Sequence, residues 1–299
     1  MQRKSLWIVL VSAAALAAGY VWWSGGSGEA PWLAAVTYTA HASGEVDGVA
    51  LVDLNPASSS FGRILQTQAI AAGVSPHHLY HNLDGTKLYT TALGGQALYR
   101  VELNGERIAR VRGLDAGGCA VGENLYFRPD GSRYELTCMG SNTVVRFDAA
   151  TDAPVETIQA SGGGAFVRYP HGMGVFPEID RMIVTETISP ALDDPGTSVT
   201  VIEYSTGKVL STHVLPGPDG GPSAPVEVFF LPNRPQAFIT AMLGGTIWSA
   251  SWDAANGTFS FRPVDDGAER GHSWPLEMYL GPQGHLYVSW AQPGVVDVY

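Results

Sequence analysis

A chain of 299 residues carries a formal net charge of -11, with 15% charged residues, 36 glycines, 19 prolines and 10% aromatics. An acidic surface without a basic stripe excludes nucleic acid as a partner. Few charges combined with many Gly, Pro and aromatic residues suit a large set of short strands joined by tight turns.

The chain opens on a targeting segment. Arg3 and Lys4 precede an uncharged, mostly apolar run from Leu6 to Trp23, a length between a signal-peptide core and a spanning helix. Ala15-Leu16-Ala17 offers small residues for cleavage, whereas Tyr20, Trp22 and Trp23 resemble an interfacial aromatic belt. Residues 1–23 therefore read as a cleaved signal or an uncleaved anchor helix holding the protein to the membrane through residues 6–23. Residues 24–31 are a Gly/Ser-rich linker. Both readings place residues 32–299 outside the cytoplasm, in a periplasmic or other exported compartment.

Beyond the linker, apolar runs ending in an acid recur about every 50 residues. They are Ala50–Asp53, Leu98–Glu102, Val144–Asp148, Val199–Glu203, Ile247–Asp253 and Val295–Asp297. A β-propeller has this period, one four-stranded blade per copy. Six markers predict an all-β, six-bladed β-propeller over residues 32–299, with a seven-bladed ring as the alternative. The first copy lacks its innermost strand and the last ends after its third, as expected where a ring closes by pairing strands from the two termini.

The Asp84-Gly85 and Asp130-Gly131 turns align the innermost strands, because Asp-Gly between apolar runs is a strong hairpin signal. Aligned starts fall at His77 (with His78 beside it), Glu123, His171, Glu227 and Glu277, the last with one residue of latitude. Imidazoles and carboxylates converging on one channel mouth are the common non-thiolate ligands of Zn, Cu and Fe. His77, His78, His171 and Glu123 are the candidate metal ligands, and Glu227 and Glu277 the candidate catalytic proton acceptors or additional ligands. His272 approaches the same face in this reading, whereas His81 faces away from His78. Trp248, Trp252, Trp274 and Trp290 are expected to pack between blades.

Cys119 and Cys138 are free to pair in an exported protein. The Pro129-Asp130-Gly131 turn places Cys138 opposite about residue 123, so a bridge requires the loop before it to bend back; two buried thiols are the alternative. The segments Ser189–Thr197 and Pro216–Pro225 are longer Gly/Pro/Asp-rich inserts, either loops that meet a partner protein or solvated turns. Nucleophile-elbow, P-loop and covalent-haem motifs are absent.

Gly48–Pro56 followed by His77-His78, then Arg181–Glu186, Pro225–Leu231 and Leu286–Trp290, resemble the opening, middle and later blades of the selenium-binding protein and methanethiol oxidase family. The resemblance spans roughly residues 45 to 299, and His-His is its most specific element. It implies a copper-dependent oxidase of small thiols that turns methanethiol into formaldehyde, hydrogen sulfide and hydrogen peroxide, with His77 and His78 carried over as copper ligands. A non-catalytic envelope scaffold and a divalent-metal lactonase are the competing functions.

Overall fold

A computed structural model describes residues 32–40, 45–160 and 165–299. The expected signal or anchor segment lies outside them. Among the described residues, no helix is long and apolar enough to cross a membrane. The chain forms a ring of six antiparallel β-sheets, each made of strands consecutive in sequence.

Blade 1 holds β1 (Leu33–Tyr38), β2 (Gly48–Asp53) and β3 (Ile64–Ala69). Blade 2 holds β4 (Pro76–His81), β5 (Leu88–Ala92), β6 (Leu98–Asn104) and β7 (Arg107–Gly113). Blade 3 follows with β8 (Gly122–Phe127), β9 (Arg133–Cys138), β10 (Thr143–Asp148) and β11 (Ala153–Ile158). Blade 4 is β12 (Pro170–Phe176), β13 (Arg181–Glu186), β14 (Ser198–Glu203) and β15 (Lys208–Val214). Blade 5 is β16 (Pro225–Phe230), β17 (Gln236–Ala241), β18 (Thr246–Asp253) and β19 (Thr258–Asp266). Blade 6 ends the chain with β20 (Ser273–Leu280), β21 (Leu286–Gln292) and β22 (Val295–Val298). The six-bladed reading holds. Among the described residues, however, blades 1 and 6 remain separate three-stranded sheets and no strand pairing joins them.

Blades pack face to face through the alternate side chains of their middle strands. Between blades 2 and 3, Tyr89, Leu98, Leu125, Tyr134, Leu136 and Phe147 form one buried cluster. Tyr134 and Phe147 stack with ring centroids 4.7 Å apart, and burying a side chain of this size contributes about 1.5–3 kcal/mol. The polar groups of the seam between blades 2 and 3 are paired, as burial demands. The Tyr89 hydroxyl donates to Asp152 at 2.7 Å, and Arg100 bonds the other Asp152 oxygen at 2.7 Å. Trp248 and Trp290 are buried between blades as expected, but Trp274 is not: it is exposed at a left-handed backbone position, φ 59°, the second residue of β20.

Cys119 and Cys138 form a disulfide. Cys138 lies opposite Gly122, and the chain before it bends back as the bridge requires, with the Cys119 N–H donating to the Ala116 carbonyl.

Candidate metal centre

Each innermost strand starts with the same device. A residue in the left-handed region leads it: Ser75 (φ 48°), Val121 (55°), Tyr169 (51°), Ala224 (46°) or Trp274 (59°). A proline or glycine follows, Pro76, Gly122, Pro170, Pro225 or Pro275. The register against the second strand then slips across two residues in all five blades. This is a β-bulge, which re-aims side chains and is frequent beside functional sites.

The bulge sorts the aligned candidates into two positions. His77, Glu123 and His171 stand first, with Val226 and Leu276 in blades 5 and 6. His78, Glu227 and Glu277 stand second, with Asn124 and Gly172. Glu227 and Glu277 thus match His78 rather than His77, a correction to the sequence alignment: each follows the Pro that opens its strand by two residues, where His77 and His171 follow theirs by one. Gly172 is required where it stands, since a Cβ there would collide with the Val226 carbonyl of the next blade.

A hydroxyl on the second strand fixes each bulge. Thr91, Thr137, Thr185, Thr240 and Ser289 accept the N–H of His78, Asn124, Gly172, Glu227 and Glu277. Thr137, Thr185 and Thr240 also donate to the carbonyl of the first bulge residue in the next blade, at 2.6–2.7 Å. Thr37 of β1 makes the same bond to the His77 carbonyl at 3.2 Å. β1 is therefore the second strand of blade 1.

Blades 2, 3 and 4 bring their bulges together. The Glu123 Oε2 lies 3.2 Å from His77 Nδ1, 3.6 Å from His78 Nε2 and 3.6 Å from His171 Nε2. The His77 and His78 rings stack at 4.1 Å, and the His171 ring stands edge-on to both. One ligand atom from each of His77, His78 and Glu123 lies within 4.8 Å of the others. Glu123 is 1% exposed, yet its Oε2, His77 Nδ1 and His171 Nδ1 have no partner in hydrogen-bonding geometry. Buried polar atoms without partners are costly unless something else satisfies them. A cation between Glu123 Oε2 and His77 Nδ1 would satisfy both, and His171 faces the same oxygen through its other nitrogen, Nε2.

The charges sort accordingly. Burial and attraction oppose each other at Glu123, and the charges of His171 and His77 win, holding its carboxyl below the ordinary range. Burial also pulls His77 down, but the adjacent Glu123 carboxylate and the charge of Glu277 raise it by more. Burial, reinforced by the other two imidazoles, lowers His78 well below the usual value. For His171, burial and His77 outweigh the attraction of Glu123, so it too is lowered. His78 and His171 are thus pushed toward the neutral imidazole that a metal ion requires, beside an ionised Glu123. His77 is pushed toward its protonated form and would give up that proton to bind a metal.

Blades 5 and 6 face this cluster with carboxyls. Burial and mutual repulsion raise Glu227 well above the carboxylate range. Burial raises Glu277 to about 7, opposed by His77 and reinforced by Glu123. Tyr80 and Tyr279 are raised by burial and by the same two glutamates, so both stay protonated. Other candidates lie elsewhere. His272 pairs with Asp297 at 3.1 Å and leans on Trp290 rather than joining the cluster. His81 is exposed and bonds the Asn82 carbonyl. The two inserts adjoin each other through the Ala224 N–H and the Gly196 carbonyl. Sequence reasoning missed the anchoring threonines; their signal was a hydroxyl near the end of every second strand.

No protein-family model and no curated protein matches the sequence. Among solved structures, the chain is similar to a hypothetical selenium-binding protein from Sulfolobus tokodaii, with a TM-score of 0.70 and 13% identity over 87% of this chain and 69% of that one. It is similar to a protein described as a 6-phosphogluconolactonase from Bacteroides uniformis, at TM-score 0.63 and 15% identity over 89% and 77% of the two chains. Hydrazine synthase of Kuenenia stuttgartiensis gives 0.58 and 15% over 84% and 70%. These likenesses show a β-propeller fold, and one neighbour carries the selenium-binding description that the His-His motif suggested.

Proposed function

We propose that the protein is an exported propeller that holds a transition metal, copper, at its channel mouth through His77, His78, His171 and Glu123, and that it oxidises a small thiol such as methanethiol. The observation that carries this is the convergence of three imidazoles on one buried carboxylate whose Oε2 has no hydrogen-bond partner. A set of nitrogens plus one carboxylate oxygen suits copper, iron or zinc; the likeness to a selenium-binding propeller favours sulfur chemistry and hence copper.

When bound, copper would supply one-electron redox chemistry and a site for a thiolate sulfur. The residues supply proton handling. Glu277, raised to about 7, can take the thiol proton at neutral pH, and Glu227 holds a proton beside it. The Tyr80 and Tyr279 phenols supply protonated donors near the same carboxyls. Atoms balance if one methanethiol, one dioxygen and one water give formaldehyde, hydrogen sulfide and hydrogen peroxide.

Metal analysis of protein recovered from the exported fraction tests the proposal, alongside a His77→Ala/His78→Ala variant. Stoichiometric copper, lost in the variant together with methanethiol-dependent peroxide, is the expected result. Zinc or calcium with lactone turnover would move the reading to a hydrolase in which the cation polarises an ester carbonyl. No metal in either preparation would leave a binding scaffold.

A further inference from the structure

Blade 2 carries a second polar cluster, at the opposite end of β4 from His77. Its register puts the members on one face of the sheet. Tyr89, Arg100 and Arg112 are direct cross-strand neighbours, as are Glu102 and Arg110, and directly opposed residues share a face. Lys87, two residues before Tyr89, points the same way. The other face holds Leu88, Val101 and Val111, packed with Val49 and Leu51 of blade 1. The polar face is turned to blade 3, whose buried Asp152 enters it.

The charges on this face do not balance. Arg100 opposite Arg112 is a like-charge pair, which costs stability unless anions lie between. Asp152 Oδ2 lies 2.7 Å from Arg100 and 3.8 Å from Arg112, and Glu102 Oε1 lies 2.8 Å and 3.1 Å from the same two. Lys87 and the exposed Arg110 belong to the same face, so two carboxylates serve four cations. Blade 3 shows the balanced version. Arg146 there takes the place of Arg100, but Glu156 stands opposite it where blade 2 has Arg112, and Glu135 stands where blade 2 has Tyr89. The excess in blade 2 is local, since the whole chain carries 17 Lys and Arg against 28 Asp and Glu. Donor capacity also remains. Lys87 gives one N–H to the Ala149 carbonyl at 2.7 Å, Arg100 gives two to the carboxylates and Arg112 gives one, where an ammonium carries three and a guanidinium five. Beside them opens a cavity of about 270 Å³, lined by Thr86, Lys87, Arg100, Val101, Glu102 and Leu103.

We propose that this cavity binds a dianionic oxyanion of the sulfate or phosphate type, held by Lys87 and Arg100, with Arg110 and Arg112 adding to the field. Four cations less two carboxylates leave the charge that a dianion cancels. The cluster is compact, so it fits one oxyanion and not the long run of phosphates of a polynucleotide, which needs an extended basic surface. Glu102 on the cavity wall repels the ligand and engages two of the guanidinium groups, so it holds the affinity down. A free ion and the phosphomonoester headgroup of a lipid present the same chemistry here. The inference stands on blade 2 alone, so it survives or fails independently of the metal.

Calorimetric titration of the metal-free full chain with sodium sulfate and with inorganic phosphate, at constant ionic strength and with chloride as the control, tests it. One saturable site for sulfate or phosphate, and none for chloride, is the expected result. Lys87→Met should weaken binding at least about tenfold, the worth of one charge-assisted hydrogen bond. Arg110→Gln, at an exposed position, should weaken it about threefold and leave unfolding stability where it was. Glu102→Gln should tighten binding about threefold, because it removes a repelling carboxylate; an ion cluster with a structural role alone would lose stability in that variant without any gain in affinity. Vesicles separate the two sources. Retention on phosphatidic acid but not on phosphatidylcholine, reversed by inorganic phosphate, assigns the ligand to a lipid headgroup, and binding of the free ions without retention assigns it to the ions themselves. The absence of a saturable sulfate or phosphate site in the native protein overturns the proposal. So does an affinity that neither Lys87→Met nor Arg110→Gln changes, which would be adventitious binding elsewhere.

Discussion

The two halves of the channel are built alike and loaded differently. Blades 2 to 4 and blades 5 to 6 share the left-handed residue, the Pro or Gly, the two-residue bulge and the anchoring hydroxyl. One half presents His77, His78, Glu123 and His171, with ligand atoms 3.2–3.6 Å from one carboxylate oxygen. The other presents Glu227 and Glu277, raised together by burial and repulsion. The bulge supplies position and the residue placed on it supplies chemistry. One half gathers the donors that the proposed cation site would use, and the other carries carboxyls pushed toward their protonated form. The largest expected effect follows from that split. His77→Ala/His78→Ala should weaken copper binding more than about 100-fold, since it removes ligands whose outer partners alone are worth 10- to 100-fold. Glu227→Gln/Glu277→Gln should leave the stoichiometry intact. Copper titration of both variants checks this, and equal loss in the two would break the comparison.

A second contrast lies in how the halves are braced. The disulfide joins the loop before Glu123 to Cys138, opposite Gly122, so the bulge carrying the central carboxylate is stapled. Among the described residues, blades 5 and 6 have hydrogen bonds alone at the corresponding place. A bridge between cysteines 19 residues apart contributes about 3 kcal/mol through the unfolded state. Cys119→Ser/Cys138→Ser should lower unfolding stability by about that amount in denaturant titration and weaken copper binding several-fold. It should leave the acid pair's protonation, followed by carboxyl infrared bands, where it was.

Much of this was legible in the sequence, and the limits have a physical cause. The acid-ended third strands carried the blade count, because they recur in every blade, and the Asp-Gly turns of blades 2 and 3 aligned the inner strands. His77, His78, His171 and Glu123 could be aligned without coordinates. The two bulge positions could not be told apart from the hairpin turns, because the alignment that puts Glu227 and Glu277 level with His78 runs from the Pro or Gly that opens each strand. The repeated Ser75-Pro76, Tyr169-Pro170, Ala224-Pro225 and Trp274-Pro275 steps mark the bulge once their backbone is known. His272 looked suitable from its place before blade 6, but Asp297 and Trp290 claim it.

The acid half makes a prediction of opposite sign to most carboxylates. Glu277 titrates at about 7 when folded and near the ordinary value of 4.5 when the chain is unfolded, so between those values the native protein binds more protons than the unfolded one. Stability is therefore highest below about pH 4.5 for this group and declines as pH rises to about 7, by on the order of 1 kcal/mol given access of channel water. Glu277→Gln should flatten that slope in urea titrations between pH 5 and pH 8, a window set around these values. A residual slope should remain from Glu135, also raised to about 7 by burial against the pull of Arg146. An unchanged slope would mean that the pair ionises freely.

The smallest effect isolates the hydroxyl anchors. Thr137 accepts the Asn124 N–H, next to Glu123, and donates to the His171 carbonyl at 2.6 Å, so one side chain positions two candidate ligands from two blades. Thr240 makes the same pair of bonds to Glu227 and Leu276 on the acid side. Thr137→Val and Thr240→Val each remove two hydrogen bonds from a buried seam and should each cost about 1–2 kcal/mol of stability. Their effects on copper should differ: a few-fold weaker for Thr137→Val and unchanged for Thr240→Val. A Thr137→Ser variant, which keeps the hydroxyl, should restore the affinity. If both valine variants weakened copper equally, the two halves would be one mechanical unit, and the separation of cation site from proton pair would not hold.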